Sequence, residues 1–491
     1  MAKNPRFRFF GNISVGEDVT VQDLLTRYDA VVLAYGAQGN KPLSGLTPGQ
    51  SQRAFRGVHS AREFVNWYNG HPDYKNFSSI FKLNKVKNVV IVGNGNVALD
   101  CARILAKSVD ALKTTDIADY ALDELEKSTV QSISILGRRG PIQSSFTIKE
   151  FRELINLGPH VDVVTDSKSF SAGMSDPDSA AKYNSNRPVK RLVDLIASTQ
   201  RNAKEIVSQN KETSLQKKTI VFRYLLSPIA LLSTKSPFVN YHGRIVPSLS
   251  TAVGANDVDT FDDKSVTTIA EAVAADCSSM PSDIPADIGA IVCSVNEMTK
   301  NEAVRAIPAV NNFSGKSPLE QCLKLEVHLC DLILYAVGYQ SEPLEGIDTD
   351  PASIIIPFDH MNHVVPNNQS RVEIPKEAFS RNLTHLPLLY AVGWIARGPS
   401  GVIATNVVDA KRTAEAILSD IKSKLSSASS HADSDSYLHE CIRSKGKSVV
   451  TWSDYLKIEA EEINRGSTSV PARPLVKVTD VDEMIKVAHQ S

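Results

Sequence analysis

The residues best suited to chemistry stand in Val89-Val-Ile-Val-Gly-Asn-Gly-Asn-Val-Ala98. The run Val89–Val92 suits a strand buried on both faces. Gly93 makes the tight turn, and Gly95 leaves room for a pyrophosphate to approach the backbone. Ala98 takes the third small position of G-x-G-x-x-A, where helix and strand pack closely. The helix that begins near Asn96 would point its unpaired N–H groups and positive dipole end at the phosphates. Glycine turns after strands are common, so this stretch alone also fits an ordinary turn. The next strand, Ser132–Leu136, sharpens the reading, because it ends in Gly137-Arg-Arg-Gly-Pro141. An NAD site wants Asp or Glu there for the ribose 2′-hydroxyl. Two guanidinium forks suit a phosphate instead, which points to NADP. The alternative is a surface arginine pair in a turn.

The chain that positions these residues has 491 of them, enough for two or three domains. A hydrophobic share of 42% and a charged share of 22% are those of a soluble globular protein. The net charge of -1 gives no global pull toward nucleic acid or membrane, so a charged partner must meet a local patch. No apolar run suggests a transmembrane segment, and the N-terminal residues form no signal or transit pattern. The cysteines, Cys101, Cys277, Cys293, Cys322, Cys330 and Cys441, form no C-x-x-C. That argues against a zinc ribbon, an iron–sulfur ligand set or a redox dithiol, and Cys101 and Cys330 read as core.

Along the chain, Phe7–Phe10 and Ile13–Val15 read as strands, and Val19–Tyr28 as a helix capped by Thr20. Val31–Ala37 reads as a buried strand entering a glycine turn. Ser60-Ala-Arg-Glu63 is a capping box opening a helix. Helices are expected over 98–107, 117–127, 147–157 and 191–207, with a Ser-, Asp- and Asn-rich loop over 166–190. Strands are expected over 220–226, 290–296, 329–339 and 388–393, and a helix over 402–424. Residues 233–312 form a loose excursion, and 423–436 a Ser-rich linker. The final residues contain two helical stretches separated by Pro471 and Pro474.

The order of strand, G-x-G-x-x-A, Gly137-Arg-Arg-Gly-Pro141 and Gly393-Trp-Ile-Ala-Arg-Gly-Pro-Ser-Gly-Val-Ile403 resembles the adrenodoxin reductase family, mitochondrial-type ferredoxin–NADP reductases. Trp67-Tyr-Asn-Gly70, Phe146-Thr-Ile-Lys-Glu150 and Trp452-Ser-Asp-Tyr-Leu-Lys-Ile458 are similar to it too, and the likeness is weakest at 166–320. It implies an α/β two-dinucleotide-binding flavoprotein, with a Rossmann-like NADP domain (84–341) inserted in an FAD domain (1–83 and 342–424) and a C-terminal extension (425–491). The family's opening FAD fingerprint, G-x-G-P-A-G, is not in this sequence. The FAD domain is therefore expected to be incomplete, the chain starting roughly a hundred residues into the family pattern, and its hold on FAD weak.

Carried over, the resemblance assigns Asn94, Gly95, Asn96 and Val97 to the NADP pyrophosphate. Arg138 and Arg139 go to the 2′-phosphate, and Glu150 closes that pocket. Trp394, Gly401, Val402 and Ile403 face flavin and nicotinamide, and Val15 the adenine side of FAD. Arg152, Arg187, Lys190 and Arg191 resemble a docking surface for an acidic [2Fe–2S] ferredoxin, serving P450 or iron–sulfur pathways in mitochondria. Gly401 to Ile403 have a physical reading of their own: N–H groups and dipole at a helix start can stabilise a reduced, anionic flavin ring. An ordinary turn, a core tryptophan, a helix-start charge at Glu150 and a solvated loop at 187–191 are the plain alternatives. At the level of the protein the alternatives are an NADP(H)-binding module without electron transfer and a glutamate-synthase-type flavoprotein.

Overall fold

Apolar runs without alternation belong in a parallel sheet covered on both faces. Asn88–Val92 and Ser132–Leu136 take that place, the second with every residue buried. The computed structural model describes residues 4–47, 50–201, 217–236, 239, 273, 275, 285–298, 304–306, 325–344, 356–373, 388–401, 403–424 and 434–490. Two compact units emerge. Met1–Lys41, Gly338–Glu461 and Asp480–Ser491 form one, and Pro42–Val337 with Glu462–Thr479 form the other. Residues 42–83 thus fall in the unit that holds the fingerprint, and the C-terminal extension is divided between the units.

Among its described residues, the fingerprint unit has a parallel sheet in the order Val58–Ser60, Leu332–Tyr335, Asn88–Val92, Ser132–Leu136, Lys218–Arg223, Val161–Asp166, Gln200–Arg201. The chain leaves Asn88–Val92 toward Ser132–Leu136 on one side, while Leu332–Tyr335 pairs on the other. That is a topological switch point, and open α/β sheets bind ligands at the carboxyl ends of the strands there. Val92 stands opposite both Leu136 and Tyr335, so the loops leaving these strands start level. Helices Ala61–Tyr68, Asn96–Ala106, Asp119–Glu126 and Ile148–Ile155 contribute to one core with the sheet, in which Phe64, Trp67, Leu105, Phe151 and Phe222 are buried. Each such side chain is worth ~1.5–3 kcal/mol of burial. An antiparallel sheet pairs Leu226–Ser233 with Ala286–Met298, and the latter with Leu325–Leu329.

The capping box forms as expected: Ser60 Oγ accepts from Glu63 N at 3.1 Å, and Glu63 accepts from Ser60 N at 2.7 Å. Other expectations need correction. The stretch 166–190 is not a loop. Asp166 and Asp176 cap helices Ser167–Met174 and Pro177–Ser185, so the polar residues that suggested a loop are helix starts. The next helix runs Arg187–Ala197, capped by Asn186, earlier at both ends than 191–207. Residues 329–339 are not one strand. Leu325–Leu329 and Leu332–Tyr335 belong to different sheets, and between them Asp331 accepts from the backbone N–H groups of Lys87 and Asn88 at 2.9 Å each. Strand Lys218–Arg223 ends before 226, because Leu225 turns the chain at φ 61°. Cys101 and Cys330 are core residues, as expected.

In the other unit, Ala30–Leu33 pairs in parallel with Leu388–Ala391. Val32 is exposed, so this strand is not buried throughout as the sequence suggests. Helix Val21–Arg27 starts from Thr20 with a full capping box to Asp23. Helix Ile403–Lys424 is tied to the strand pair through Asp420, which accepts from Arg371 Nε at 2.7 Å and Tyr390 Oη at 2.8 Å. Phe7–Phe10 and Ile13–Val15 are not strands. Phe7 and Phe9 instead set their rings edge-on to Trp452, at centroid distances of 6.1 and 5.8 Å. Most of 233–312 and of 423–436 lies outside the described residues. No helix of the described residues is long and apolar enough to cross a membrane.

Candidate functional site

One close approach shapes the fingerprint loop. Gly93 holds φ +128°, and a Cβ there would lie 2.4 Å from the Ala336 carbonyl oxygen. Only glycine tolerates both. Gly95 is the N-cap of helix Asn96–Ala106 and brings no side chain to its first N–H groups, which leaves them for a ligand. Val97 packs against the core, and Ala98 is fully buried, as close helix–strand packing requires.

Side chains fasten this loop to the one after Leu136. Asn94 Nδ2 donates to Ser144 Oγ at 2.8 Å, and the Asn94 carbonyl accepts from Ser145 N and Ser145 Oγ at 3.0 Å each. Asn96 Oδ1 accepts from Thr147 N at 2.9 Å, and Thr147 caps helix Ile148–Ile155, whose first turn carries Glu150. The joined loops therefore hold Asn94, Gly95, Asn96, Arg138, Arg139 and Glu150 on one framework. Sequence reasoning missed the fasteners Ser144, Ser145 and Thr147. Their signal was a run of hydroxyl residues just after Gly-Arg-Arg-Gly-Pro.

Arg138 is exposed and Arg139 half-buried, and neither forms an ion pair among the described residues. Their backbone is what the fold holds: Asn296 Nδ2 donates to the Arg138 carbonyl at 3.0 Å, and Leu225 N to the Arg139 carbonyl at 3.4 Å. Both guanidinium forks stay available to an anion. Asn94 Oδ1 and Glu150 Oε2 are buried without a hydrogen-bond partner. Buried acceptors left unmade are costly, and a donor brought to them relieves the cost. Open helix donors and two unpaired arginines fit a dinucleotide that carries an extra phosphate.

Beneath the arginine turn lies a buried ion cluster. Arg223 Nη2 donates to Glu326 Oε2 at 2.6 Å, and Arg223 Nε stands 3.7 Å from Asp166. Burial opposes the Glu326 charge, but the Arg223 guanidinium, with His328 beside it, brings its pKa down to about 2. Gly137 N donates to the Arg223 carbonyl at 2.8 Å, so the cluster anchors the strand on which the turn rests.

The other unit carries its own set. Trp394 stacks on Tyr339 with centroids 5.8 Å apart and planes at 23°, while its Nε1 is buried without a partner. Gly401 adopts φ +81°, and a Cβ there would meet Thr405 Oγ1 at 2.7 Å. Arg397 fixes the glycine loop to helix Ile403–Lys424. It binds Asp409 at 2.6 Å, Thr405 at 3.0 Å and Asn406 at 2.9 Å, and donates to the Ser400 carbonyl. The sequence offered Arg397 only as one letter of a motif. Ile403 opens the helix, and Val402 lies outside the described residues. Val15 is 41% exposed, on a turn held by Asp18, which accepts from Ser14 N and Lys447 Nζ at 2.8 Å each. A stacked tryptophan with an unmade indole N–H, next to a glycine loop that enters a helix, fits the ring end of a flavin.

Arg152 is exposed on helix Ile148–Ile155, and lines a surface hollow with Arg103, Lys107 and Lys149. Arg187, Lys190 and Arg191 are exposed on helix Arg187–Ala197, which packs against it. Lys190 is partly spent: its Nζ donates to Tyr183 Oη at 2.6 Å and stands 3.6 Å from Asp194.

Comparison with known proteins adds to this geometry. Residues 8–135 match the family described as pyridine nucleotide-disulphide oxidoreductase. The NADPH:adrenodoxin oxidoreductase, mitochondrial, of Salvelinus fontinalis is 32% identical over 99% of this chain and 79% of its own length. The Bos taurus protein of the same name is 33% identical over 99% and 79%. The NADPH-ferredoxin reductase FprA of Mycobacterium leprae is 30% identical over 99% and 84%. The solved structure of Mycobacterium tuberculosis FprA in complex with NADPH superposes with a TM-score of 0.69 at 29% identity, covering 100% of this chain and 85% of that one.

Proposed function

The chain belongs to the family of NADPH:adrenodoxin and NADPH-ferredoxin oxidoreductases, and we propose from that premise how its own residues serve such a reaction. It is an oxidoreductase that moves electrons from NADPH through FAD to a ferredoxin. FAD, when bound, supplies the conversion from a two-electron donor to a one-electron acceptor. The observation that carries the reading is the pair of joined loops at the switch point, with open helix donors and two unpaired arginines.

In this reading Asn94, Gly95, Asn96 and Val97 line the pyrophosphate, Arg138 and Arg139 grip the 2′-phosphate, and Glu150 closes that end. The unit Pro42–Val337 with Glu462–Thr479 is the NADP unit, and the other is the flavin unit. There Trp394, Gly401, Val402 and Ile403 meet the flavin, with Arg397 holding their loop in shape, and Val15 lies toward its adenine. The acceptor is an acidic [2Fe–2S] ferredoxin that docks on Arg152, Arg187, Lys190 and Arg191. A mitochondrial workplace is part of the proposal, supported by the animal relatives, although the mycobacterial FprA proteins match comparably.

The test is anaerobic. Purified protein is kept in excess FAD throughout and given NADPH, and then a [2Fe–2S] ferredoxin. Bleaching of the flavin band followed by ferredoxin reduction is expected. NADPH binding without bleaching would instead favour a binding module.

A further inference from the structure

A buried phenol lies under the pyrophosphate loop, and neither the motif nor the relatives' names point to it. Tyr224 follows strand Lys218–Arg223 and is 1% exposed. Its ring meets Phe170 edge-on at 6.5 Å, and its backbone N–H donates to Ser169 Oγ at 3.2 Å, so its position is fixed from the main chain outward. The hydroxyl has no hydrogen-bond partner. The side chains of Asn94 and Ser144 lie against it.

Asn94 has the complementary gap. Its Nδ2 is engaged by Ser144, while its Oδ1 is buried and unmade. A dry, unpaired phenol therefore stands against an amide side chain whose oxygen is also dry and unpaired. Burial favours joined groups over unmade ones. Burial also raises the phenol's pKa well above its ordinary value, so it stays a donor throughout the working pH range.

We propose that Tyr224 is a positioning residue for the nucleotide: with Ser144, it clamps the Asn94 side chain and so fixes the loop Gly93–Asn96 that receives the pyrophosphate. This rests on the nucleotide reading above and extends it to a residue outside the fingerprint. Both nicotinamide dinucleotides share the pyrophosphate, so the clamp serves NADPH and NADH alike. The arginine pair serves NADPH only.

Direct titration of the full chain with each cofactor, by fluorescence or calorimetry, needs no electron transfer. Tyr224→Phe should weaken NADPH and NADH by the same factor, about fivefold, the size of one neutral hydrogen bond. In an Asn94→Ala background the same change should have no further effect, since its target is gone. Phe170→Leu alters the packing of the ring but not the hydroxyl, and should leave both affinities unchanged. Ser144→Ala tests the clamp from the surface side, without touching the core, and should weaken both cofactors. Unchanged affinity in Tyr224→Phe or in Ser144→Ala overturns the proposal, and so does full additivity with Asn94→Ala. Failure of the unaltered chain to bind NADPH would overturn the nucleotide reading itself.

Discussion

At the scale of single residues, two kinds of position govern the nucleotide, and substitution separates them. On the proposed reading, Arg138 and Arg139 bear on the extra phosphate. Each charge-assisted pair is worth roughly 1.5–3 kcal/mol, so Arg138→Ala and Arg139→Ala should each weaken NADPH about tenfold or more, and leave NADH nearly unchanged. Equal loss for both cofactors in equilibrium titration would remove the 2′-phosphate assignment. Gly93 bears on neither phosphate in particular. Alanine there adds a Cβ 2.4 Å from the Ala336 carbonyl oxygen, on a backbone at φ +128°. The loop must shift, so Gly93→Ala should cost binding of NADPH and NADH together. A crossed pattern, arginines selective and glycine unselective, is the signature to look for in one set of titrations.

At the scale of elements, the arginine turn depends on how two sheets are joined. Arg223 lies in the parallel sheet and Glu326 in the antiparallel one, and they bond at 2.6 Å in the interior. Glu326 has a folded-state pKa lowered from 4.5 to about 2, so its stabilising effect is present above pH ~4.5 and is lost as pH falls toward 2. Glu326→Gln leaves Arg223 buried with only the more distant Asp166. It should cost about 3 kcal/mol near pH 7, and progressively less as pH falls toward and through about 2, in urea unfolding across that range. A deficit that does not change with pH would show that packing, not charge, joins the sheets. The same elements show what a sequence can and cannot tell. Val89–Val92, Ser132–Leu136 and the Ser60–Glu63 box were legible because local pattern and local structure coincide there. The expected strand over 329–339 was not, since a largely apolar run does not reveal that Asp331 hands the chain from one sheet to another. The acidic and amide residues at 166, 176 and 186 look like loop until their side chains are seen to cap helices. Of the proposed site, the arginines and glycines stand in recognisable motifs, while Ser144, Tyr224 and Arg397 enter it through contacts that no spacing rule encodes.

At the scale of the whole molecule, charge decides how a partner is met. With a net charge of -1 the chain exerts no long-range pull on an acidic ferredoxin, so any steering must come from a local surface. The packed helices Ile148–Ile155 and Arg187–Ala197 present one, with Arg152, Arg187 and Arg191 exposed. Their contributions should differ. Lys190 already donates to Tyr183 and lies near Asp194, so its field is partly cancelled within its own neighbourhood. Reversal of Arg152, Arg187 or Arg191 to Glu should therefore slow ferredoxin reduction more than Lys190→Glu. Because steering charges act mainly on association, the loss should be largest at low salt and shrink as ions screen the surface over about a Debye length of 10 Å at 0.1 M. NADPH affinity should stay unchanged, since the loops that hold the nucleotide are fastened by Asn94, Ser145 and Thr147, not by these cations. The measurement is the second-order rate of ferredoxin reduction by FAD-loaded protein, followed from low to high ionic strength. The unaltered protein should show a steep decline with salt and the triple Arg→Glu variant a shallow or inverted one. Parallel curves would mean that these helices are only a solvated face, and that the partner docks elsewhere.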